Sequence, residues 1–375
     1  MARYIKRGNV WQYEISYKDI DGNFKKIRKS GFKKKQDAIV AANQIEIEVS
    51  KGMKFEEKNV SLYHYFKSWI DTYKKGKVSD QTYNKYANSL KNIDKYFGRI
   101  AIKSIKRLNY QQYLNEYAEI HATSSVRRLN SHIRTSIIAA IDEGLIPFDF
   151  TKGAVVVGQA ETRKESEKYL DYDNYKELMQ FTKEKIHPES ATSLLIYLAG
   201  MTGMRYGELA GLSWKHIDFK NNMISIERAY ITSTKTFGPT KNEQSVRKVI
   251  VSQATMDLLK NYKTRQADYF KKNNVINNEK LIFMNPSGKI VANATINKAL
   301  IRYQKKLKIK QSISIHGLRH TYASVLIMKG INILAVSKTL GHKSVDITMN
   351  TYTHILKELE KIENEKIGTI LDDVA

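Results

Sequence analysis

One tyrosine near the end of the chain has neighbours suited to chemistry. The stretch GHKSVDITMNTYTH places Tyr352 ten residues after His342. A tyrosine hydroxyl can act as a nucleophile, but with a pKa near 10 only about 0.1% of it is ionised at pH 7. It therefore needs a base that takes its proton and cations that stabilise the charge. Within the stretch, we expect the alternating apolar residues Val345, Ile347 and Met349 to anchor the segment.

The stretch HGLRHTYAS supplies a second group of polar side chains. His316 and Arg319 are three residues apart, so on a helix they project from one face and can both donate to one anion, such as a phosphate. His316 and His320 also have the i, i+4 spacing of half a zinc-protease helix, but Gly317 stands where that motif needs a glutamate. The stretch therefore favours anion binding, and we expect neither a metal nor a cofactor.

Two further stretches, TGMRYGEL and GPTKNEQSVRKVIV, carry charges where we expect secondary structure to change. Arg205 follows Gly203, which can end the apolar helix SLLIYLAG, and YGEL begins a new helix. Lys241 lies in a turn-like stretch before an alternating strand. Taken alone, an arginine at such a junction is commonly a helix-capping residue, and a lone lysine in a turn is usually solvated.

The four stretches together contain what transfer of a phosphodiester requires. Charge spreads over the nonbridging oxygens in the transition state, so cations must surround them, and two arginines and a histidine can do this without a metal. A lysine can protonate the leaving 5′ oxygen. Attack by Tyr352 would form a phosphotyrosyl ester that keeps the bond energy, so ATP would not be required.

The composition indicates a protein that binds a polyanion. The 375 residues include 63 Lys and Arg against 38 Asp and Glu, a formal net charge of +25, which makes nucleic acid the first expected partner. No apolar run approaches the roughly 18 residues of a membrane-spanning helix, and the N-terminus lacks the apolar stretch of a signal peptide. With 0 cysteines, disulfides and thiolate metal sites are excluded. We expect a DNA-associated protein of a reducing cytoplasm, not a membrane protein.

The first segment is predicted to be a small sheet with one helix. VWQYEISY alternates as a half-buried strand does, Asp21-Gly22 marks a turn into FKKIRKSGF, and Lys35 to Val49 has helical spacing. Residues 1 to 35 contain 11 Lys and Arg but 3 Asp and Glu, which favours a DNA-contacting sheet over a sheet edge merely protected by lysines. The predicted DNA contacts here are Lys25, Lys26, Arg28, Lys33 and Lys34.

The rest of the chain is predicted to be mainly helical. Residues 60 to 155 carry aromatic stripes that we interpret as core. Their predicted phosphate contacts are Lys74, Lys75, Arg127 and Arg128, although each alone is more often a solvated charge. After a polar linker, a last domain starts near Tyr169 and combines helices with a hairpin that turns at Asn221-Asn222. The predicted fold class is multidomain α+β.

The motifs TGMRYGEL, HGLRHTYAS, LGH and TYTH, in this order, resemble those of the tyrosine recombinases, and among them the three-domain integrases of phages and conjugative elements. The resemblance implies an arm-type DNA-binding domain over residues 1–56, with a three-stranded sheet and a helix. It implies a helical core-binding domain over 60–155 and a catalytic domain over 168–375. The terminal tail LKELEKIENEKIGTILDDVA would pack on a neighbouring subunit or on its own domain.

The resemblance also implies a role for each motif residue. Arg205 and Arg319 would hold the scissile phosphate, with His316 as the adjoining donor or proton-transfer partner. His342 would support the phosphate by hydrogen bonding, and Tyr352 would be the nucleophile.

Two lysines are candidates for the general acid. Lys241 matches the family's general acid, but it is followed by Asn242 where the family commonly has threonine, and Lys235 competes for the role.

The implied activity is site-specific DNA recombination through a 3′-phosphotyrosyl intermediate and a Holliday junction, which integrates and excises a phage or mobile element. The implied partners are double-stranded DNA at core and arm sites, three further copies of the chain in a homotetramer, and an excisionase or a host DNA-bending protein. The implied location is the cytoplasm of a bacterial host cell. The alternative from another class is a DNA-binding regulator with an idle catalytic set. Among enzymes, a type IB topoisomerase and a Xer-like resolvase share this chemistry, but the basic N-terminal sheet argues against the resolvase, because simple resolvases of the family usually lack an arm-binding domain. A metal-dependent nuclease is a more distant alternative.

Overall fold

The computed structural model describes residues 2–18, 24–50, 60–161, 167–240, 243–353 and 355–356. The chain divides into two compact units, Met1–Thr162 and Arg163–Ala375. Helices and small antiparallel sheets occur in both, which confirms the predicted multidomain α+β class. Among the described residues, no helix is both long enough and apolar enough to cross a bilayer.

The first unit begins with a three-stranded antiparallel sheet covered on one face by a helix. Strands β1 (Arg3–Arg7), β2 (Val10–Lys18) and β3 (Phe24–Phe32) pair in sequence order, and α1 (Lys35–Ser50) follows. Alternation puts Tyr13 and Ile15 on the covered face, where they are buried with Ala42 of the helix. The predicted sheet and helix are confirmed, while the predicted Asp21-Gly22 turn lies outside the described residues.

Four helices complete the first unit: α2 (Leu62–Tyr73), α3 (Asp80–Phe97), α4 (Arg107–Glu119) and α5 (Thr123–Asp142). The apolar stripe of α2 is buried, since Phe66 and Trp69 pack into the core of these helices as predicted. Gly98, with a φ of 46°, ends α3.

The second unit is built around a helix that is buried on all sides, α7 (Thr192–Thr202). Around it pack three helices, α6 (Tyr172–Glu184), α10 (Asn293–Lys306) and α11 (Ile315–Met328). The remaining helices are α8 (Tyr206–Ala210), α9 (Gln253–Lys272) and α12 (Ile333–Leu340), and a further helix, α13, covers residues 345 to 353.

Two small sheets lie between α8 and α9. One has the order β4 (Ile217–Asp218), β5 (Met223–Ile226) and β8 (Arg247–Ile250), and the other pairs β6 (Ala229–Ile231) with β7 (Thr236–Gly238). All pairs are antiparallel. The hairpin between β4 and β5 turns at Asn222, which adopts a positive φ of 54°, as the sequence predicted for this position.

Candidate active site

Two glycine-terminated helices place the predicted residues Arg205 and His342. Helix α7 ends at Gly203 and α12 ends at Gly341, both in the left-handed conformation that favours glycine at a helix end. A side chain would not fit at either place: a Cβ on Gly203 would lie 2.5 Å from the ring of Tyr322, and one on Gly341 would lie 2.9 Å from a backbone oxygen. The chain can therefore turn tightly there and present the following polar residue.

Arg319 joins these two helix ends. It lies on α11 and is only 3% exposed. Its Nη1 donates to the carbonyl oxygen of Gly203 at 2.8 Å, and its Nη2 donates to that of Leu340 at 2.7 Å. Burial, and next the charge of Arg205, lower the pKa of Arg319 to about 9, so the guanidinium is still charged at pH 7.

Arg205 reaches the same place from the other helix end. Its Nη2 donates to the carbonyl oxygen of Gly341 at 3.2 Å, and its Nη1 donates to Oε1 of Glu208 at 2.7 Å. The Arg205 side chain is 26% exposed. It is thus held in place and remains accessible to a ligand.

A buried carboxylate and a third arginine, neither of which the sequence analysis identified, hold Arg205. Glu208 is 4% exposed and also accepts from Nη2 of Arg247 at 3.0 Å. Although burial opposes ionisation, hydrogen bonding and charge from Arg247 and Arg205 lower the pKa of Glu208. Arg247 in turn donates to the carbonyl oxygens of Thr339 and Ser245. In the sequence, the contact between Arg205 and Glu208 is indicated by their i, i+3 spacing, which is typical of capping interactions at a helix N-terminus.

His342 is held as a neutral imidazole. Its Nδ1 lies 2.7 Å from the hydroxyl oxygen of Thr348. Burial, then the charges of Arg319 and Arg205, lower the pKa of His342 to about 4. The pKa of His316 on α11 is also lowered, and the causes come in the same order: first desolvation, then the charge of Arg319, then that of Arg205. Both histidines therefore share the electrostatic environment of the two arginines.

We expect the low pKa of His342 to appear in the pH dependence of folding. The pKa falls from 6.5 to about 4, so between these values the unfolded chain binds more protons at this site than the folded one. The free energy of unfolding should therefore decrease as the pH falls through this window. Denaturant unfolding of His342→Gln should show a shallower decrease than the wild type. An unchanged slope in His342→Gln would contradict the assignment.

Tyr352 lies on α13 and is 2% exposed. It packs with Ala323, Val336 and Leu340, and its hydroxyl oxygen lies 3.1 Å from Nδ1 of His320. Tyr352 is also near enough to Arg319 for its phenolate charge to raise the pKa of that arginine. The structure thus brings Arg205, His316, Arg319, His342 and Tyr352 together.

The predicted anchoring of this segment is wrong in detail. Ile347 and Met349 are 44% and 46% exposed, and Val345 is only half-buried. The segment is a helix, so residues at positions 345, 348 and 352 share a face, whereas alternation would suit a strand. The buried anchors are Thr348 and Tyr352.

The predicted general acid cannot be placed. Lys241 and Asn242 lie outside the described residues. The competing Lys235 is exposed in the turn between β6 and β7, with a φ of 55°.

The predicted DNA contacts of the sheet fall on two faces. Lys26 and Arg28 lie on the face that α1 leaves open, where both pair with Glu14 of β2 and lower its pKa, Arg28 more strongly. Lys25 pairs in register with Tyr17 and so lies on the face towards α1, apart from the other two. Lys33 and Lys34 are exposed between β3 and α1.

The helical contacts also differ among themselves. Lys74 is half-buried, with its Nζ 4.6 Å from the ring centre of Trp69, so it takes part in packing as a cation–π partner. Lys75, Arg127 and Arg128 are exposed, and Arg128 also donates to Ser125.

Comparison with known families gives three matches that follow one another along the chain. Residues 2–49 match the Arm DNA-binding domain, residues 61–118 match the Phage integrase, N-terminal SAM-like domain, and residues 168–358, just over half of the chain, match the Phage integrase family.

Individual relatives cover nearly the whole chain. It is 26% identical to the "Tyrosine recombinase XerC-like" protein of Caldanaerobacter subterraneus subsp. tengcongensis, over 95% of each chain. It is 23% identical to the ICEBs1 integrase of Bacillus subtilis, over 98% of this chain and 100% of that one. The structure of the Tn1549 transposon integrase, in complex with transposon right end DNA, matches with a TM-score of 0.67 at 17% identity, over 82% of this chain and 100% of that chain. This last similarity shows a shared fold.

Proposed function

Because the chain belongs to the phage integrase family of tyrosine recombinases, we propose that it integrates and excises a phage or other mobile element by site-specific recombination. The observation that supports this most is that Arg319 donates hydrogen bonds to the C-terminal ends of α7 and α12. These helix ends position Arg205 and His342 in the same site as Tyr352. The comparisons lend no support to a DNA-binding regulator with an idle catalytic set.

In the proposed reaction, the scissile phosphate lies against Arg205 and Arg319. Their guanidinium groups neutralise the charge that develops on its nonbridging oxygens, and both are fixed by hydrogen bonds before the DNA arrives. His342, neutral at pH 7, donates from Nε2 when its Nδ1 accepts from Thr348. His316, the fourth donor, lies on the exposed side of α11.

Tyr352 then attacks the phosphorus, and the bond from phosphorus to the 5′ oxygen breaks. The leaving oxygen takes a proton from Lys241, with Lys235 as the competing donor. The 3′-phosphotyrosyl ester is opened again by the 5′ hydroxyl of a partner strand, and two such exchanges pass through a Holliday junction. Because the phosphotyrosyl ester keeps the energy of the phosphodiester bond, ATP is not required. The positive charges against the phosphate come from Arg205 and Arg319.

The first unit supplies the proposed recognition of DNA. We assign the open face of the β1–β3 sheet to arm sites and the helices α2 to α5 to the core site, where Lys75, Arg127 and Arg128 are exposed for phosphate. The proposed working form is a homotetramer on paired sites, with an excisionase or a host DNA-bending protein setting direction. The tail from residue 357 onward, proposed to pack between subunits, lies outside the described residues.

The assignment of the sheet predicts a selective loss of arm-site affinity. In a Lys26→Gln, Arg28→Gln double variant, binding to an arm-site duplex should weaken. The slope of log affinity against log salt should become shallower by about two, because two phosphate contacts are lost. Affinity for the core site should be unchanged. The control is a Lys271→Gln, Lys272→Gln double variant at the exposed end of α9, which loses the same amount of positive charge. An equal effect of both double variants would argue for a general charge effect.

The proposed activity is tested with a nicked duplex that carries the crossover site from DNA flanking the gene, incubated in EDTA. Protein covalently joined to the 3′ end of one strand is the expected product. Hybrid sites should then form from two intact duplexes. Binding without any covalent product would favour the regulator. Relaxation of plasmids irrespective of site would favour a type IB topoisomerase, and a requirement for divalent metal would favour a nuclease.

A further inference from the structure

A histidine outside the set assigned by family resemblance is hydrogen-bonded to the proposed nucleophile. The Nδ1 of His320 lies 3.1 Å from the hydroxyl oxygen of Tyr352. We propose that His320 is the base that takes the proton from Tyr352 as it attacks, and that its hydrogen bond orients the hydroxyl before attack. This inference rests on the proposed function, since it assigns a role within the same site.

The surroundings of Tyr352 make a local proton acceptor necessary. The tyrosine is 2% exposed, so bulk water has little access to its hydroxyl in this arrangement. A phenol with an ordinary pKa near 10 needs help to ionise at pH 7. The 3.1 Å separation is within the range from which a side chain can take a proton directly.

The other side chains of the site are less suited to this task. Arg205 and Arg319 are cations and have no acceptor lone pair. The Nδ1 of His342 is engaged by Thr348. His316 lies one helical turn before His320, with its ring edge-on to that of His320 at 4.9 Å and an interplanar angle of 88°. His320, by contrast, has its Nδ1 at 3.1 Å from the Tyr352 hydroxyl oxygen, which places it to accept the proton.

The position of His320 also couples the base to the phosphate clamp. His320 directly follows Arg319 on α11, and Arg319 is fixed by two short hydrogen bonds to the ends of α7 and α12. One rigid helix would therefore set both the phosphate and the proton acceptor relative to Tyr352. This is the arrangement expected when nucleophile and electrophile must be oriented before reaction.

The proposed step balances without a further reactant. The O–H bond of Tyr352 breaks and its proton moves to Nδ1 of His320, while the phenolic oxygen forms a bond to phosphorus. The bond from phosphorus to the 5′ oxygen breaks, and that oxygen takes the proton of the general acid. In rejoining, the imidazolium of His320 returns its proton to the tyrosine oxygen as the phosphotyrosyl bond breaks.

The test uses the full chain with His320→Asn, because the asparagine amide places a hydrogen-bonding group near the position of Nδ1 but cannot take the proton. Cleavage is followed on two nicked duplexes, one normal and one with sulfur in place of the 5′ bridging oxygen. A thiolate leaves without being protonated, so the sulfur duplex reports on the base side of the reaction alone. We expect His320→Asn to be slowed about 10²- to 10⁴-fold on both duplexes, the usual contribution of general base catalysis.

A second measurement separates proton transfer from positioning. Tyr352 is replaced site-specifically by 3,5-difluorotyrosine, whose phenol is more acidic and needs less help to ionise. In this background the deficit of His320→Asn on the sulfur duplex should shrink at least tenfold. A deficit that stays the same size would mean that His320 only positions the tyrosine, and would overturn the proposal.

Controls keep the outcomes distinct. His187→Asn, at an exposed histidine, should cleave like the wild type, and thermal unfolding and duplex binding of His320→Asn should stay close to wild type. If the sulfur duplex restores cleavage by His320→Asn, the histidine acts on the leaving group and the proposal fails. If the wild type cleaves and His320→Asn cleaves equally fast, only this inference fails. If the wild type forms no covalent product on either duplex, the proposed function itself fails.

Discussion

Replacement of Tyr352 by phenylalanine will abolish strand cleavage while leaving the affinity for the core site nearly unchanged. The substitution removes one oxygen, the proposed nucleophile, and keeps the ring that packs against Ala323, Val336 and Leu340. The lost hydrogen bond to His320 should cost only about 0.5–1.5 kcal/mol of folding stability. The readout is covalent protein on a nicked duplex in a denaturing gel, beside a binding titration of the same duplex.

The matched control is Tyr175→Phe, which removes another tyrosine hydroxyl, from a partly buried side chain, that donates to the carbonyl oxygen of Gly200 at 3.0 Å. This variant should cleave like the wild type. Covalent product from Tyr352→Phe would show that another residue is the nucleophile. Loss of binding by Tyr352→Phe would show that the tyrosine has a structural role beyond its chemistry.

Substitution of Arg319 should damage both catalysis and folding, whereas substitution of Arg205 should damage catalysis alone. In Arg319→Lys the charge remains, but a single ammonium cannot reproduce the planar fork that donates to the carbonyls of Gly203 and Leu340. A buried carbonyl left without its donor costs about 1–3 kcal/mol. Arg205→Lys also weakens the link to Glu208, but the lysine keeps the positive charge and Arg247 still donates to Glu208, so the effect on folding should be small.

Both variants should cleave about 10²- to 10³-fold more slowly, the loss typical of a single preorganised donor. Single-turnover cleavage and denaturant unfolding measure the two effects separately. The control is Lys263→Arg on α9, which exchanges a lysine and an arginine at a position away from these contacts. It shows whether such an exchange has an effect of its own. Cleavage by Arg319→Lys at the wild-type rate would contradict its role at the phosphate, and equal destabilisation of both variants would contradict the bracing role of Arg319.

Local sequence patterns predicted much of the fold. The alternation around Tyr13 and Ile15 indicated a strand, the stripe with Phe66 and Trp69 indicated a core-facing helix, and Gly203 marked the end of α7. These features depend on the chemistry of neighbouring residues in the chain, which a sequence displays directly. The motif order also identified the five residues that the fold brings together.

Contacts between distant parts of the chain were not predictable in the same way. Glu208 of α8 meets Arg247 of β8, and His320 of α11 meets Tyr352 of α13, because elements far apart in sequence pack together. The segment before Tyr352 was misjudged because its apolar residues alternate, while its buried face is set by Thr348 at helical spacing.

The most direct test of the proposed mechanism is to identify the atom that carries the DNA. The covalent product formed on the nicked duplex is digested with protease and nuclease, and the nucleotide-bearing peptide is sequenced by mass spectrometry. A peptide from the α13 segment with a 3′ nucleotide phosphate on Tyr352 is the expected result. An adduct on a serine or on a different tyrosine, or one attached through a 5′ phosphate, would contradict the mechanism.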